Sequence, residues 1–247
     1  MLHLKVTDIG GVPTNGVSAV VLNVTVTNPT LSSFLTVYPD QTGRPTASNL
    51  NFVAGQTVPN RVIVKVGANG VVDIYNLRGS VDVVADLNGW FTDATSMVGG
   101  SYYVPVAPYR LLDTRDGIGP IPQDSGLMVT LTGQGVDQVR ALAMNVTVAN
   151  PTAPSFLTVW PDLDPLPNAS DLNFVAGLVV PNFVVVKIPS NVSFDIYNFQ
   201  GSTDVIVDVV GYYGPAVPAP TSQALRASAQ RKSFAPAAGP GPASRAS

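Results

Sequence analysis

Apolar and polar residues alternate with period two through a series of short runs. In the first half of the chain these lie at about 18–27, 33–39, 48–54, 60–66, 71–77 and 81–87. Such alternation marks strands with one face turned to a core. The separators are Asn28-Pro29-Thr30, Pro39-Asp40, Ala54-Gly55, Gly67-Ala68-Asn69-Gly70 and Arg78-Gly79-Ser80, all residues suited to turns. Run starts fall roughly 10–15 residues apart, a spacing that suits antiparallel sandwiches and leaves no room for crossover helices. No segment carries helical periodicity. The pattern predicts an all-β protein of sandwich-like antiparallel modules, about seven or eight strands each, with a closed barrel as the runner-up.

The pattern occurs twice. Residues 23–91 align without a gap on 145–213, and about 40 of the aligned positions are identical. Leu50-Asn51-Phe52-Val53-Ala54-Gly55 returns as Leu172-Asn173-Phe174-Val175-Ala176-Gly177, and Asp73-Ile74-Tyr75-Asn76 as Asp195-Ile196-Tyr197-Asn198. The expected organisation is a first module over 1–100, a second over 101–214, and a flexible Ala/Pro/Ser-rich tail over 215–247. The second copy is preceded by Tyr102 to Arg115, for which the first copy has no counterpart. Either the first module lacks an N-terminal strand or the 101–115 segment belongs to it. An incomplete sandwich leaves an open edge that can pair with another chain, so a homo-oligomer through that edge is one expectation.

Composition narrows the function classes. Charged residues make up 12% of the chain, about half the usual share, too few for long solvated helices. The net charge of −3 argues against nucleic acid, which calls for a concentrated basic surface. The apolar runs are too short for transmembrane helices. Met1 to Val6 lacks a basic stretch followed by an apolar core, so no signal peptide is expected. Absence of Cys excludes disulfides, thiol nucleophiles and Cys-based zinc sites.

Little here suits catalysis. His3 is the sole histidine and lies outside the repeat, which speaks against a Ser–His–Asp site and against a histidine metal cluster. Glu is absent, and Asp82 and Asp86 are too far apart along one strand for a glycosidase pair. Lys65 and Lys187 are candidate partners for Asp86 and Asp208 in their apolar strands. No recognised calcium-loop spacing occurs. No enzyme activity, cofactor or metal is therefore expected.

Five phrases carry a resemblance: Leu22-Asn23-Val24-Thr25-Val26, Phe34-Leu35-Thr36-Val37-Tyr38-Pro39-Asp40, Ser48-Asn49-Leu50-Asn51-Phe52, Arg110-Leu111-Leu112-Asp113-Thr114-Arg115 and Gly211-Tyr212-Tyr213. Over residues 1–214 the chain resembles a repeat of secreted actinobacterial proteins, found in tandem or appended to peptidases, glycosidases and cell-wall amidases. The resemblance implies an extracellular or cell-surface location and an accessory, adhesive or binding role. It supplies no site residues.

Two sets of residues stand out as candidates. Aromatics recur at matched positions, and rings exposed in a row stack on sugars; Tyr38 and Trp160, each followed by Pro, are the expected platform for a polysaccharide or cell-wall component. Arg110, Asp113, Arg115 and Asp116 form a dense cluster in a charge-poor chain, read as an ion-pair network that pins the strand carrying it. The expected function is a non-catalytic binding or adhesion module pair. The alternative is a structural spacer or self-assembling surface protein that uses the open edge.

Overall fold

The computed structural model describes residues 1–93, 95–96, 99–215 and 225–234. The chain is all-β and divides into two compact units, Met1–Gly100 and Ser101–Ser247.

The first unit holds β1 (Leu2–Lys5), β2 (Val17–Thr27), β3 (Ser33–Pro39), β4 (Leu50–Phe52), β5 (Val58–Lys65), β6 (Val71–Asn76) and β7 (Asp82–Thr92). They form two antiparallel sheets in the orders β5-β2-β7 and β1-β6-β3-β4. The chain crosses between sheets repeatedly, so alternate residues of both face one core of Val20, Leu22, Val24, Leu35, Val37, Val72 and Ile74, among others. This is a sandwich, not a closed barrel.

The second unit holds β8 (Tyr102–Asp113), β9 (Ser125–Thr132), β10 (Ala141–Ala149), β11 (Ser155–Pro161), β12 (Leu172–Phe174), β13 (Val180–Lys187), β14 (Ser193–Asn198), β15 (Asp204–Gly214) and β16 (Arg226–Ser233), with one 3₁₀ turn at Val136–Gln138. Its sheets run β13-β10-β15-β8 and β12-β11-β14-β9-β16. Each sheet is thus the first module's sheet plus one strand, giving nine strands where seven or eight were expected. The 101–115 segment supplies β8 and pairs with β15, so it belongs to the second unit.

The tail departs from expectation. Arg226 to Ser233 pairs antiparallel with β9 from Thr132 to Ser125 and closes that sheet. Its sequence Arg-Ala-Ser-Ala-Gln-Arg-Lys-Ser has little apolar content. Yet Ala227 and Ala229 pack against the core, and the strand satisfies the main-chain groups of β9. The rest of the expected tail, 216–224 and 235–247, lies outside the described residues.

The repeated motifs have structural causes. Asn60 and Asn182 donate from Nδ2 to the main-chain carbonyls of Asn49 (2.5 Å) and Asp171 (2.6 Å). Asn49 Oδ1 in turn accepts from the Val37 N–H at 2.7 Å, and Asp171 Oδ2 from the Val159 N–H at 2.8 Å. These bonds tie the long loop after β3 or β11 to the facing strands, satisfying groups that would otherwise be buried unpaired. The shared Ser-x-Leu-Asn-Phe and Val-Pro-Asn phrases are therefore scaffold.

Candidate functional site

The modules differ at both sheet edges, and the candidate chemistry lies there. In the second module β8 covers the edge strand β15. Arg110 bridges two carboxylates, Asp208 through Nε (2.6 Å) and Asp113 through Nη1 (2.8 Å). Arg115 Nη2 meets Asp113 Oδ2 at 2.6 Å and its Nε meets Oδ1 at 2.8 Å. Hydrogen bonding from Arg115, followed by the charges of both arginines, holds the buried Asp113 carboxyl down to about 2 against the opposing effect of burial. Just beyond β8, Thr114 Oγ1 donates to Asp204 Oδ1 and accepts from the Val205 N–H, both at 3.0 Å. At the other end the Tyr103 ring lies over Gly211, where an added Cβ would meet it at 2.5 Å. The expected ion-pair cluster thus exists around Arg110, Asp113 and Arg115. Asp116 contributes its N–H to the Asp113 carbonyl (3.1 Å). The partner of Asp208 is Arg110 rather than Lys187, because the arriving strand brings the guanidinium alongside the carboxylate.

β7 keeps four of the β15 residues that meet β8 or the turn after it: Asp82 for Asp204, Val83 for Val205, Asp86 for Asp208 and Gly89 for Gly211, while Ile206, Val207, Val209 and Tyr212 become Val84, Ala85, Leu87 and Trp90. Even the capping contact is the same, since Asn28 Nδ2 donates to Asp82 Oδ2, as Asn150 Nδ2 does to Asp204 Oδ2, each at 2.9 Å. Among the described residues, however, β2 is the one strand paired with β7. Asp82 is exposed where Asp204 is buried, and Val84 is 48% exposed where Ile206 is 8%. Val83 and Leu87 reach the core only half-buried.

The second edge carries a charge cluster. In the second module Lys232 of β16 places Nζ 2.5 Å from Asp162 Oδ1 and 2.6 Å from Asp195 Oδ2. Asn191 Nδ2 adds a bond to Asp162 at 2.5 Å. Burial, joined by the charge of Asp162, pushes the Asp195 carboxyl up to about 6 despite Lys232. Burial also raises Asp162, but hydrogen bonds from Lys232 and Asn191 prevail and leave it below the usual range. In the first module the same carboxylates recur as Asp40 and Asp73. There β1 brings His3, whose Nδ1 stands 2.6 Å from Asp73 Oδ1 and 3.6 Å from Asp40 Oδ1.

The expected aromatic platform is not present in the fold. Tyr38 is 5% exposed and Trp160 3%, so neither offers a ring face to a sugar. Both project from the outer face of their sheet, where other segments of the chain cover them. The Trp160 indole N–H donates to the Asp164 carbonyl (3.0 Å), and its ring meets Phe234 edge-on at 5.0 Å. Tyr38 Oη donates to Met1 Sδ at 3.1 Å. Sequence reasoning passed over His3 and Lys232, because neither lies within the gapless repeat. The signal for His3 was available: setting Leu2–Val6 against Leu127–Leu131 puts it at the Met128 position, opposite the recurring Asp73.

No helix among the described residues is long and apolar enough to cross a membrane. No protein-family model matches the chain, and no curated protein matches it. Among solved structures, a chain described as "Structure of infectious bursal disease virus Gx strain" is 12% identical. The match covers 87% of this chain and 57% of that one, with a TM-score of 0.13, a likeness that carries no argument.

Proposed function

We propose that the chain is a non-catalytic, extracellular binding and adhesion module pair whose ligand is an extended polypeptide strand, added antiparallel along the outer edge of β7. One observation carries this reading: β7 keeps Asp82, Val83, Asp86 and Gly89, the counterparts of the residues that meet Thr114, Arg110 and Tyr103 in the second module, while no described strand covers them. The extracellular placement rests on the resemblance to secreted repeats. Burial of Tyr38 and Trp160 takes away the feature on which a polysaccharide ligand rested.

The duplicate module supplies the chemistry of the incoming strand. A threonine at its end would reach Asp82 as Thr114 reaches Asp204, and apolar side chains would cover Val83 and Leu87. Main-chain hydrogen bonds provide affinity in such strand addition, and alternate side chains provide specificity. Arg61 occupies the cross-strand row of Asn23 and Asp86, where the second module has Phe183. The first module therefore brings a cation of its own to that row and depends less on an arginine from the partner.

Pairing of β7 with β7 of a second copy is the rival use of the same edge. An antiparallel register centred on Val84 sets Asp82 opposite Asp86 of the other copy, and like charges directly opposed are destabilising. The test is fluorescence anisotropy of a labelled peptide spanning Tyr102 to Asp116, titrated with the full chain. We expect saturable binding that falls at least about tenfold with Asp82→Ala in the protein, or with Val in place of the peptide's threonine. Absence of binding at about 1 mM protein, or binding that Asp82→Ala leaves intact, overturns the proposal. Pull-downs on peptidoglycan, chitin, cellulose and xylan run alongside; retention there with no peptide binding would reinstate the sugar reading.

A further inference from the structure

The two modules hold the same pair of carboxylates at the same place in the fold, but they neutralise it differently. Asp162 and Asp195 share the ammonium of Lys232, a permanent cation within 2.6 Å of both. Asp40 and Asp73 meet no lysine strand, because β1 is an uncovered edge among the described residues. Asp73 is nevertheless 4% exposed, and a buried carboxylate needs a compensating charge or a full set of donors. An imidazole is a cation only when protonated, so it is a weaker substitute than an ammonium. Lys5 of the same strand points elsewhere, donating to the Asn69 carbonyl at 2.7 Å. Arg44 lies over the Tyr75 ring, 4.0 Å from its centroid.

The residues that replace one another around this pair change together in one chemical direction. Where the second module has Met128, the first has His3, and where it has Trp160, the first has Tyr38. Two side chains with little or no ligating power give way to an imidazole and a phenol. The donor atoms of His3, Asp40 and Asp73 lie within 4.8 Å of one another. Atoms set tetrahedrally around one ion at about 2.0–2.2 Å stand roughly 3.4 Å apart, so small rotations of three side chains would close the set. The exposed His3 ring is free to make its part of that adjustment.

We infer that His3, Asp40 and Asp73 form a site for a divalent transition-metal ion of the class that zinc represents. The ion takes the position that the Lys232 ammonium holds in the second module. One imidazole with two carboxylates suits zinc, whereas calcium and magnesium favour all-oxygen sets. Three protein ligands leave a fourth position for water or for a donor from another molecule. Tyr38, directly across the strand pair from Asp73, is placed to orient that carboxylate from behind.

The test is isothermal titration of the untagged full chain with zinc chloride in metal-free buffer near neutral pH, with cobalt(II) absorption as a second readout. We expect one ion per chain and a visible cobalt spectrum of low coordination number. His3→Ala, an exposed change that leaves the core alone, is expected to weaken binding at least about tenfold. Asp73→Asn is expected to do the same, with circular dichroism confirming the fold. Lys232→Ala is expected to leave the affinity unchanged. Failure to saturate at about 1 mM zinc overturns the site, and so does binding that survives His3→Ala.

Discussion

Replacing Lys232 with Ala isolates what the tail strand does for the second module. The substitution leaves Asp162 and the fully buried Asp195 side by side without their shared cation. Removing one partner of a buried ion pair costs about 3–5 kcal/mol, because the other charge stays desolvated. Lys232 keeps a third of its side chain in water, which reduces the expectation to about 2 kcal/mol at pH 8. The pH dependence carries the stricter test. Asp195 has a folded pKa of about 6, above its ordinary 3.8. A carboxyl raised in this way binds its proton more tightly in the folded state, so stability falls as pH rises through that window, by at most about 1.4 kcal/mol per unit. Loss of the ammonium extends the window upward. The deficit of the variant is therefore small near pH 5, under about 1 kcal/mol, and grows towards pH 8. Urea denaturation followed by Trp160 fluorescence measures it, with Trp90→Phe in both proteins so that the signal reports the second module alone. Other titrating groups cancel in the difference between variant and parent. A deficit that stays constant from pH 5 to 8, or no deficit at pH 8, would refute the reasoning.

Two further outcomes follow from the same geometry. Asp113 is held at about 2, below its unfolded value, so its stabilisation is present above about pH 4 and is lost as pH falls towards 2. Asp113→Asn should cost about 2 kcal/mol near neutral pH and under about 0.5 kcal/mol near pH 2, read by urea denaturation at both. Gly126 of β9 lies between β14 and β16, and a Cβ there would meet the Ile196 carbonyl oxygen at 2.0 Å. Gly126→Ala should destabilise the second module by more than about 2 kcal/mol and lower its thermal midpoint by several degrees, seen by calorimetry.

What the chain discloses in advance depends on how each element is stabilised. Strands that bury an apolar face in the shared core were legible, because alternation and the repeat state the same thing twice. Leu157, Val159, Phe194 and Ile196 are buried where period two places them. β16 was not legible, since its stabilisation comes mainly from main-chain pairing with β9 and from the cations Arg231 and Lys232, with only two alanines turned to the core. Burial of Trp160 follows from the same omission: without the strand, Phe234 has no reason to stand over that ring. The ion-pair cluster was visible as a local run of charge, but Asp208, which joins it through Arg110, was matched to Lys187 instead. Asp208 lies far along the chain from Arg110, and strand pairing rather than sequence spacing joins them.

The comparison between copies separates scaffold from cover. Positions that hold the sheets together, such as Asn60 and Asn182, keep both residue and contact. Along the outer edge of β7, Asp82, Val83, Asp86 and Gly89 are kept while the partner strand is absent among the described residues. Half-exposed Val83 and Leu87 and exposed Val84 make that edge costly to leave in water, since each buried methylene is worth about 0.8 kcal/mol. Natural edges are commonly blunted by lysine, proline or a bulge that turns the strand away. β7 has no Lys and no Pro; its pairing with β2 shifts register twice, between Val17 and Ala19 and between Val21 and Leu22, the second at the same place as the bulge between β10 and β15. The proposed pairing therefore rests on what β7 shares with its covered twin, namely Asp82, Val83, Asp86 and Gly89, rather than on an edge bare of charge. The remaining variable is the donor, and in the second module its chemistry is set out by β8.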